Sequence, residues 1–236
     1  TSATANLPNG WKVDKNTTVR SVGTYSAAGT ATELRAGNNM ASNAQNGIYN
    51  YAAGVPDSAT DRAVGGISSG SASKSVNVYV QLTNNGSTAI DNLTISYNVE
   101  KYRNGTNSAG FTIQMYYSTD GSTWTSAGDD FKSSFAADAD NNGFTSAPGA
   151  TVNVTSKTLN QSIAVGSSLY LAWNYSVTSG TTTSFAQALG IDDVSITANG
   201  GTSPSISVNP SSLSGFSYVL GAGPSSEQSF TVSGQN

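Results

Sequence analysis

The chain has no cysteine and no histidine. Without cysteine there is no disulfide scaffold, no thiol nucleophile and no thiolate metal site. Without histidine the commonest zinc ligand and the usual general base are both gone. Charge is scarce too: Asp, Glu, Lys and Arg make up 10% of the 236 residues, and the net charge at pH 7 is −4. No basic run could release phosphate counterions, so nucleic-acid binding by this segment is not expected. No apolar run reaches the roughly 18 residues of a spanning helix, so nothing here predicts membrane insertion. A P-loop, a Rossmann glycine pattern and a Gly-x-Ser-x-Gly elbow are absent. The three glutamates (Glu33, Glu100 and Glu227) lie far apart, and nothing in the pattern sets two carboxylates across a substrate. The expectation is a chain that carries no active site of its own.

What is present is alternation. Ser75–Thr83 sets Val76, Val78, Val80 and Leu82 against Asn77, Tyr79 and Gln81. Leu93–Tyr102 sets Leu93, Ile95, Tyr97 and Val99 against Asn98, Glu100 and Tyr102. Phe111–Ser118 sets Phe111, Ile113, Met115 and Tyr117 against Gln114 and Tyr116. Leu169–Val177 sets Leu169, Leu171, Trp173, Tyr175 and Val177 against Tyr170 and Asn174. Side chains of a strand alternate faces, so each segment predicts one core face and one solvent-facing surface of rings and amides. Pairs such as Asn104-Gly105, Asp120-Gly121 and Asn142-Gly143 supply the positive φ of tight turns. Many short strands without a helical stripe predict an all-β, antiparallel sandwich or barrel.

Residues 1–198 read as that body, closed by Asp193–Thr197. Residues 199–204 (Asn-Gly-Gly-Thr-Ser-Pro) read as a linker. Strands are expected at Ser205–Val208 and Glu227–Val232, but about thirty residues cannot bury a core alone. Residues 205–236 therefore read as the truncated start of an immunoglobulin-like domain, its strands pairing with the first domain or a neighbour.

Two kinds of site are expected. Tyr79, Gln81, Asn98, Glu100, Tyr102, Gln114, Tyr116, Tyr170 and Asn174 would bind a sugar if their strands share a sheet, with rings on pyranose faces and amides on hydroxyls. An exposed pleated surface with no ligand accounts for the same residues, since scattered exposed rings need none. For metal, Asp138, Asp140 and Asn142 match the opening of a calcium loop, but Gly149 stands where its closing Glu belongs. Asp192 and Asp193, beside Ile191 and Val194, need neutralising if one points inward. A structural Ca²⁺, backbone N–H groups, or Arg62 or Arg103 would do it. Glu100 and Arg103 are expected in ion pairs at a strand end. Trp11 and Trp173 read as core, with Trp124 the one that could be exposed.

Several ordered strings carry a resemblance. They are 60–66 (Thr-Asp-Arg-Ala-Val-Gly-Gly), 83–86, 95–105, 117–124 (Tyr-Ser-Thr-Asp-Gly-Ser-Thr-Trp) and 189–196 (Leu-Gly-Ile-Asp-Asp-Val-Ser-Ile). Together, over about residues 7–198, they resemble a jelly-roll module of large secreted proteins of Bacteroidetes and other environmental bacteria. The Ile-Asp-Asp-Val ending is also similar to MAM-type jelly rolls. The resemblance implies an antiparallel jelly-roll β-sandwich, a secreted or cell-surface location with type IX secretion, and further domains on the same polypeptide. It also favours calcium at Asp192. The implied work is non-catalytic adhesion or substrate targeting, with an extracellular glycan as partner. The alternatives are an accessory domain of an extracellular nuclease or phosphoesterase, or a structural spacer.

Overall fold

The computed structural model describes residues 5–200 and 205–235. Twelve strands build the main body: β1 (Trp11–Asn16), β2 (Leu34–Ala36), β3 (Gly47–Ala52), β4 (Arg62–Ile67), β5 (Ser75–Thr83), β6 (Ile90–Arg103), β7 (Phe111–Ser118), β8 (Thr125–Ser126), β9 (Lys132–Phe135), β10 (Ala150–Leu159), β11 (Ser168–Val177) and β12 (Ala188–Gly200). Two sheets result. The first runs β1-β5-β11-β7-β8, with β9 also on β7; the second runs β10-β6-β12-β4-β3-β2. From β4 to β7, and again from β10 to β12, the chain changes sheet at every step, as a jelly roll does. All pairings are antiparallel except β2–β3. The fold is thus all-β and, apart from that one pair, antiparallel. No helix among the described residues is long and apolar enough to cross a membrane.

The oily faces meet where alternation places them. Val76, Val78 and Val80 of β5, Ile113 and Met115 of β7, and Leu169, Leu171 and Trp173 of β11 pack in one buried cluster with Leu93, Ile95, Tyr97 and Val99 of β6. Trp173 anchors it, edge-on to Tyr97 at 5.7 Å and stacked on Trp11 at 5.7 Å. Each large apolar side chain buried this fully contributes about 1.5–3 kcal/mol. In β4, Gly66 makes room for this core, because a Cβ there would sit 2.5 Å from Val76 Cγ2.

One boundary and one pairing differ from the sequence reading. β12 continues to Gly200, and the Asn199 amide donates to Asn92 Oδ1 and Thr94 Oγ1, so the first two linker residues are strand. The rest of the linker, 201–204, lies outside the described residues. In the tail, β13 (Ser205–Asn209) pairs with β16 (Thr231–Gln235), and β14 (Tyr218–Val219) with β15 (Gly223–Pro224). The tail strands therefore pair with each other, and none of residues 206–234 is buried.

Candidate ligand-binding face

Strand register decides which of the expected site residues meet. Across the outer face of the first sheet, Asn77 stands opposite Asn174, which stands opposite Gln114. One row along, Tyr79 faces Ala172 and Ala172 faces Tyr116; in the next row Gln81 faces Tyr170. Six of the nine residues (Tyr79, Gln81, Gln114, Tyr116, Tyr170 and Asn174) thus share one face. Asn98, Glu100 and Tyr102 do not, because β6 belongs to the other sheet.

The centre of that face is not open to solvent, contrary to the reading of alternation. Residues 17–31 cross it as a strap. Ser21 O accepts from the amides of Asn77 (3.1 Å) and Asn174 (3.0 Å), and Gly23 N donates to Tyr79 Oη at 2.9 Å. Val22, Tyr25 and Ala28 pack on Tyr79, Ala172 and Tyr116, closed over by Trp124, whose indole N–H donates to Gly23 O at 2.7 Å. Tyr79 is fully buried and Asn174 nearly so. Asp14 of β1 joins the latch, accepting from Asn77 Nδ2 at 2.6 Å and Tyr79 Oη at 2.8 Å. Burial raises its pKa, while those two donors pull it back down. Gly23 is required for the close approach, since a Cβ there would collide with Asp14 Oδ2. Strands half-covered by a strap satisfy their polar groups in this way instead of with water.

One edge of the face remains open. A cavity of about 150 Å³ is bounded by Gln114, Tyr116 and Asn174 from the expected set, with Arg20 of the strap, Lys132 of β9, and the hydroxyls of Thr112 and Thr178. Arg20 is fixed there, its guanidinium donating to Val177 O and Gly180 O at 2.9 Å each. Gln114 is held by its Nε2, which donates to Met115 O and Gly128 O at 3.0 Å. The lining thus combines a phenol ring, amides, hydroxyls and two cations, with no carboxylate. Sequence patterning missed Arg20 and Lys132: one lies in an aperiodic polar run and the other in a four-residue strand. At the opposite edge, Gln81 Nε2 donates to Tyr170 Oη at 3.2 Å, and the Tyr170 ring leans on Tyr25 at 5.0 Å.

The residues on β6 have a different setting. Tyr102 is fully buried, stacked on Tyr51 at 4.4 Å, and its hydroxyl donates to Glu100 Oε2 at 2.5 Å. Neither Glu100 nor Arg103 forms the expected ion pair. Arg103 instead donates to three backbone carbonyls, those of Ser42, Asn141 and Ala186. Among the described residues, no arginine pairs with Asp192; Arg62 donates its Nε and Nη2 to Ala59 O and Pro56 O. Asp192 lies instead among carboxyls. Its pKa is pushed up to about 7, first by burial, then by the carboxyl of Asp61 and the charge of Glu100; a bond from Asp193 N lowers it. Asp193 sits at the β12 bulge with φ +49° and accepts from Asn98 Nδ2 at 2.8 Å.

These oxygens are the hard donors that Ca²⁺ takes, so Asp61 and Asp192 fit it chemically. Among the described residues, no three acidic, histidine or cysteine side chains converge to hold an ion. The other expected metal aspartates are engaged by protein groups. Asp138 pairs with Lys101 at 2.5 Å and accepts from Gly105 N and Gln187 Nε2. Asp140 Oδ1 accepts from Asn142 N at 2.8 Å and Asn104 Nδ2 at 3.2 Å, closing the turn on itself.

No protein-family model matches the chain, and no curated protein matches it. Among solved structures it is similar to the K1 cleaved adhesin domain of Lys-gingipain from Porphyromonas gingivalis W83. That likeness has 12% identity and a TM-score of 0.35, over 84% of this chain and 98% of that one. It is also similar to the CBM22-1–GH10 modules of a Clostridium thermocellum endo-1,4-β-D-xylanase, at 15% identity and TM-score 0.33, over 70% of this chain and 26% of that one. A third likeness is to the enzymatically active domain of bacteriophage CBA120 tailspike protein 4, at 7% identity and TM-score 0.32, over 80% and 19%.

Proposed function

We propose that this chain is a non-catalytic, extracellular adhesion or substrate-targeting module that binds glycan at the open edge of its first sheet. The observation that carries the reading is the cavity between Gln114, Tyr116 and Asn174, flanked by Arg20 and Lys132. Amides and hydroxyls suit sugar hydroxyls, a phenol ring suits a pyranose face, and two cations suit a carboxylate or sulfate. At about 150 Å³ the cavity is of the size of a single sugar residue. Its lining offers no carboxylate to act as acid or nucleophile, which supports binding over hydrolysis. On this reading the tail opens an immunoglobulin-like domain of a larger secreted polypeptide.

Oligogalacturonate titrated into ¹⁵N-labelled protein is expected to shift the amides of 112–116 and 174–178. Binding should weaken as salt rises, because the cations are exposed, and should disappear in Tyr116→Ala. No response to acidic oligosaccharides at millimolar concentration would sink the reading.

A structural Ca²⁺ at Asp61 and Asp192 is a second element of the proposal. Its support is the placing of the partly buried Asp192 beside the carboxyls of Asp61 and Glu100, whose repulsion a cation would offset. Asp61 and Asp192 would hold the ion, which would supply fixed positive charge at the β12 bulge.

A further inference from the structure

Among the described non-glycine residues with positive φ, one is aromatic. Phe185, in the loop between β11 and β12, has φ +55° and leaves 64% of its surface exposed. A bulky residue rarely takes the left-handed region, where glycine or asparagine is at ease. Burial of the ring does not offset the strain, because the ring is outside the core.

The backbone around it is over-determined. Asn107, itself buried, donates its side-chain amide to Thr182 O (2.9 Å) and Ser184 O (2.8 Å), and its backbone N–H to Phe185 O (3.2 Å). Thr183, fully buried, donates its hydroxyl to Ser69 O at 2.6 Å. On the other side, Ala186 is buried and its carbonyl takes Arg103 Nη1 at 3.0 Å. Gly105 lets the β6–β7 loop lie against this backbone, for a Cβ there would come within 2.5 Å of Phe185 O. The fold therefore spends several long-range bonds on holding an exposed ring in a strained pose. Strain kept in this way points to a site.

The ring borders a cavity of about 500 Å³ between the β6–β7 and β11–β12 loops. The remaining walls are small and polar, with Thr106, Ser108, Ser179, Thr181 and Ser184 offering hydroxyls and no charged side chain among them. One aromatic face ringed by neutral hydroxyls and amides matches a neutral sugar, which shows both a C–H face and a belt of hydroxyls. An apolar peptide side chain would find one ring and leave the hydroxyls unpaired. We propose that Phe185 is the stacking platform of a binding site for a neutral glycan. It shares only the class of ligand with the acidic-sugar pocket, and no residue lines both cavities.

The test uses the full chain, ¹⁵N-labelled, titrated with neutral cello-, xylo-, manno- and laminari-oligosaccharides. At least one is expected to shift amides of 105–109 and 179–186 while leaving 112–116 unmoved. Phe185→Gly should weaken that binding by about tenfold or more, the loss typical of a central aromatic anchor, while its melting temperature stays level or rises as the strain is relieved. Phe185→Tyr should keep binding. No shift in these loops with any neutral oligosaccharide at millimolar concentration overturns the proposal, as does wild-type affinity in Phe185→Gly. A response to oligogalacturonate at 112–116 in the same samples would uphold the first pocket even if the second failed.

Discussion

The outer faces of the two sheets each carry a partly buried aspartate, and the two are settled in opposite ways. Asp14, under the strap on the first sheet, receives an amide N–H and a phenol O–H. Asp192, on the second sheet, meets the carboxyls of Asp61 and Glu100. Burial raises the pKa of both. Donors limit the cost at Asp14, so it works as a latch that ties β1, β5 and the strap together. Like charges add to the cost at Asp192, which favours a proton there. A buried carboxylate is therefore structural or demanding according to its partners, not its burial.

Breaking the latch should have the largest effect. Gly23→Ala drives a methyl into Asp14 and is expected to destabilise by about 1–3 kcal/mol, as overpacking does. Chemical denaturation measures it, with near-native fluorescence of Trp124 lost first if the strap lifts. Tyr79→Phe is the gentler cut: it leaves Asp14 Oδ2 and Gly23 N without a partner, at about 1–2 kcal/mol. An unchanged midpoint in both variants would show that the strap is merely laid on the sheet.

On the other face the expected effect depends on pH. A carboxyl whose pKa is raised by folding stabilises when protonated. The contribution of Asp192 is thus complete below its unfolded pKa near 3.8 and is lost as pH rises through about 7. Without calcium, the melting temperature of wild type relative to Asp192→Asn should fall between pH 4 and pH 7.5, the variant being the more stable at the upper end. A constant difference across that range would remove the distinction between the two aspartates. The smallest expected effect sharpens it: millimolar Ca²⁺ at pH 7.5 should raise the wild-type melting temperature by a few degrees and leave Asp192→Asn unmoved. A melting temperature indifferent to EDTA and Ca²⁺ would leave a proton as the only settlement there.

Much of the fold was legible in period-two patterning. β5 and β7 have the bounds that alternation predicts, β11 starts one residue sooner, and β6 extends past both ends of its predicted segment. The inward sets of all four strands do form the core. The candidate site was legible only in part. Alternation names the residues opposite the core, but it cannot say which sheet a strand joins, and β6 took Asn98, Glu100 and Tyr102 to the other one. Nor could it see the strap. Residues 17–31 show no periodicity, and their docking on the sheet rests on bonds to Ser75, Asn77, Tyr79, Asn174 and Ser176, between 54 and 156 positions away in sequence. Phe185 gave no sign at all, since a lone aromatic in a Thr/Ser run looks like any loop residue until its φ and exposure are known.

The amino-acid sequence by itself determined the class of the fold and the chemistries closed to it. Apolar side chains at every second position leave a strand one way to hide its oily face, and missing cysteine and histidine cannot be supplied by folding. The tertiary structure decided what the polar faces became. A strap turned the middle of one into a second small core, the other set Asp192 beside Asp61 and Glu100, and two loops raised a ring into solvent. Those outcomes depend on long-range pairings, and the energy of a polar side chain is set by the partner it finds, not by its place in the pattern.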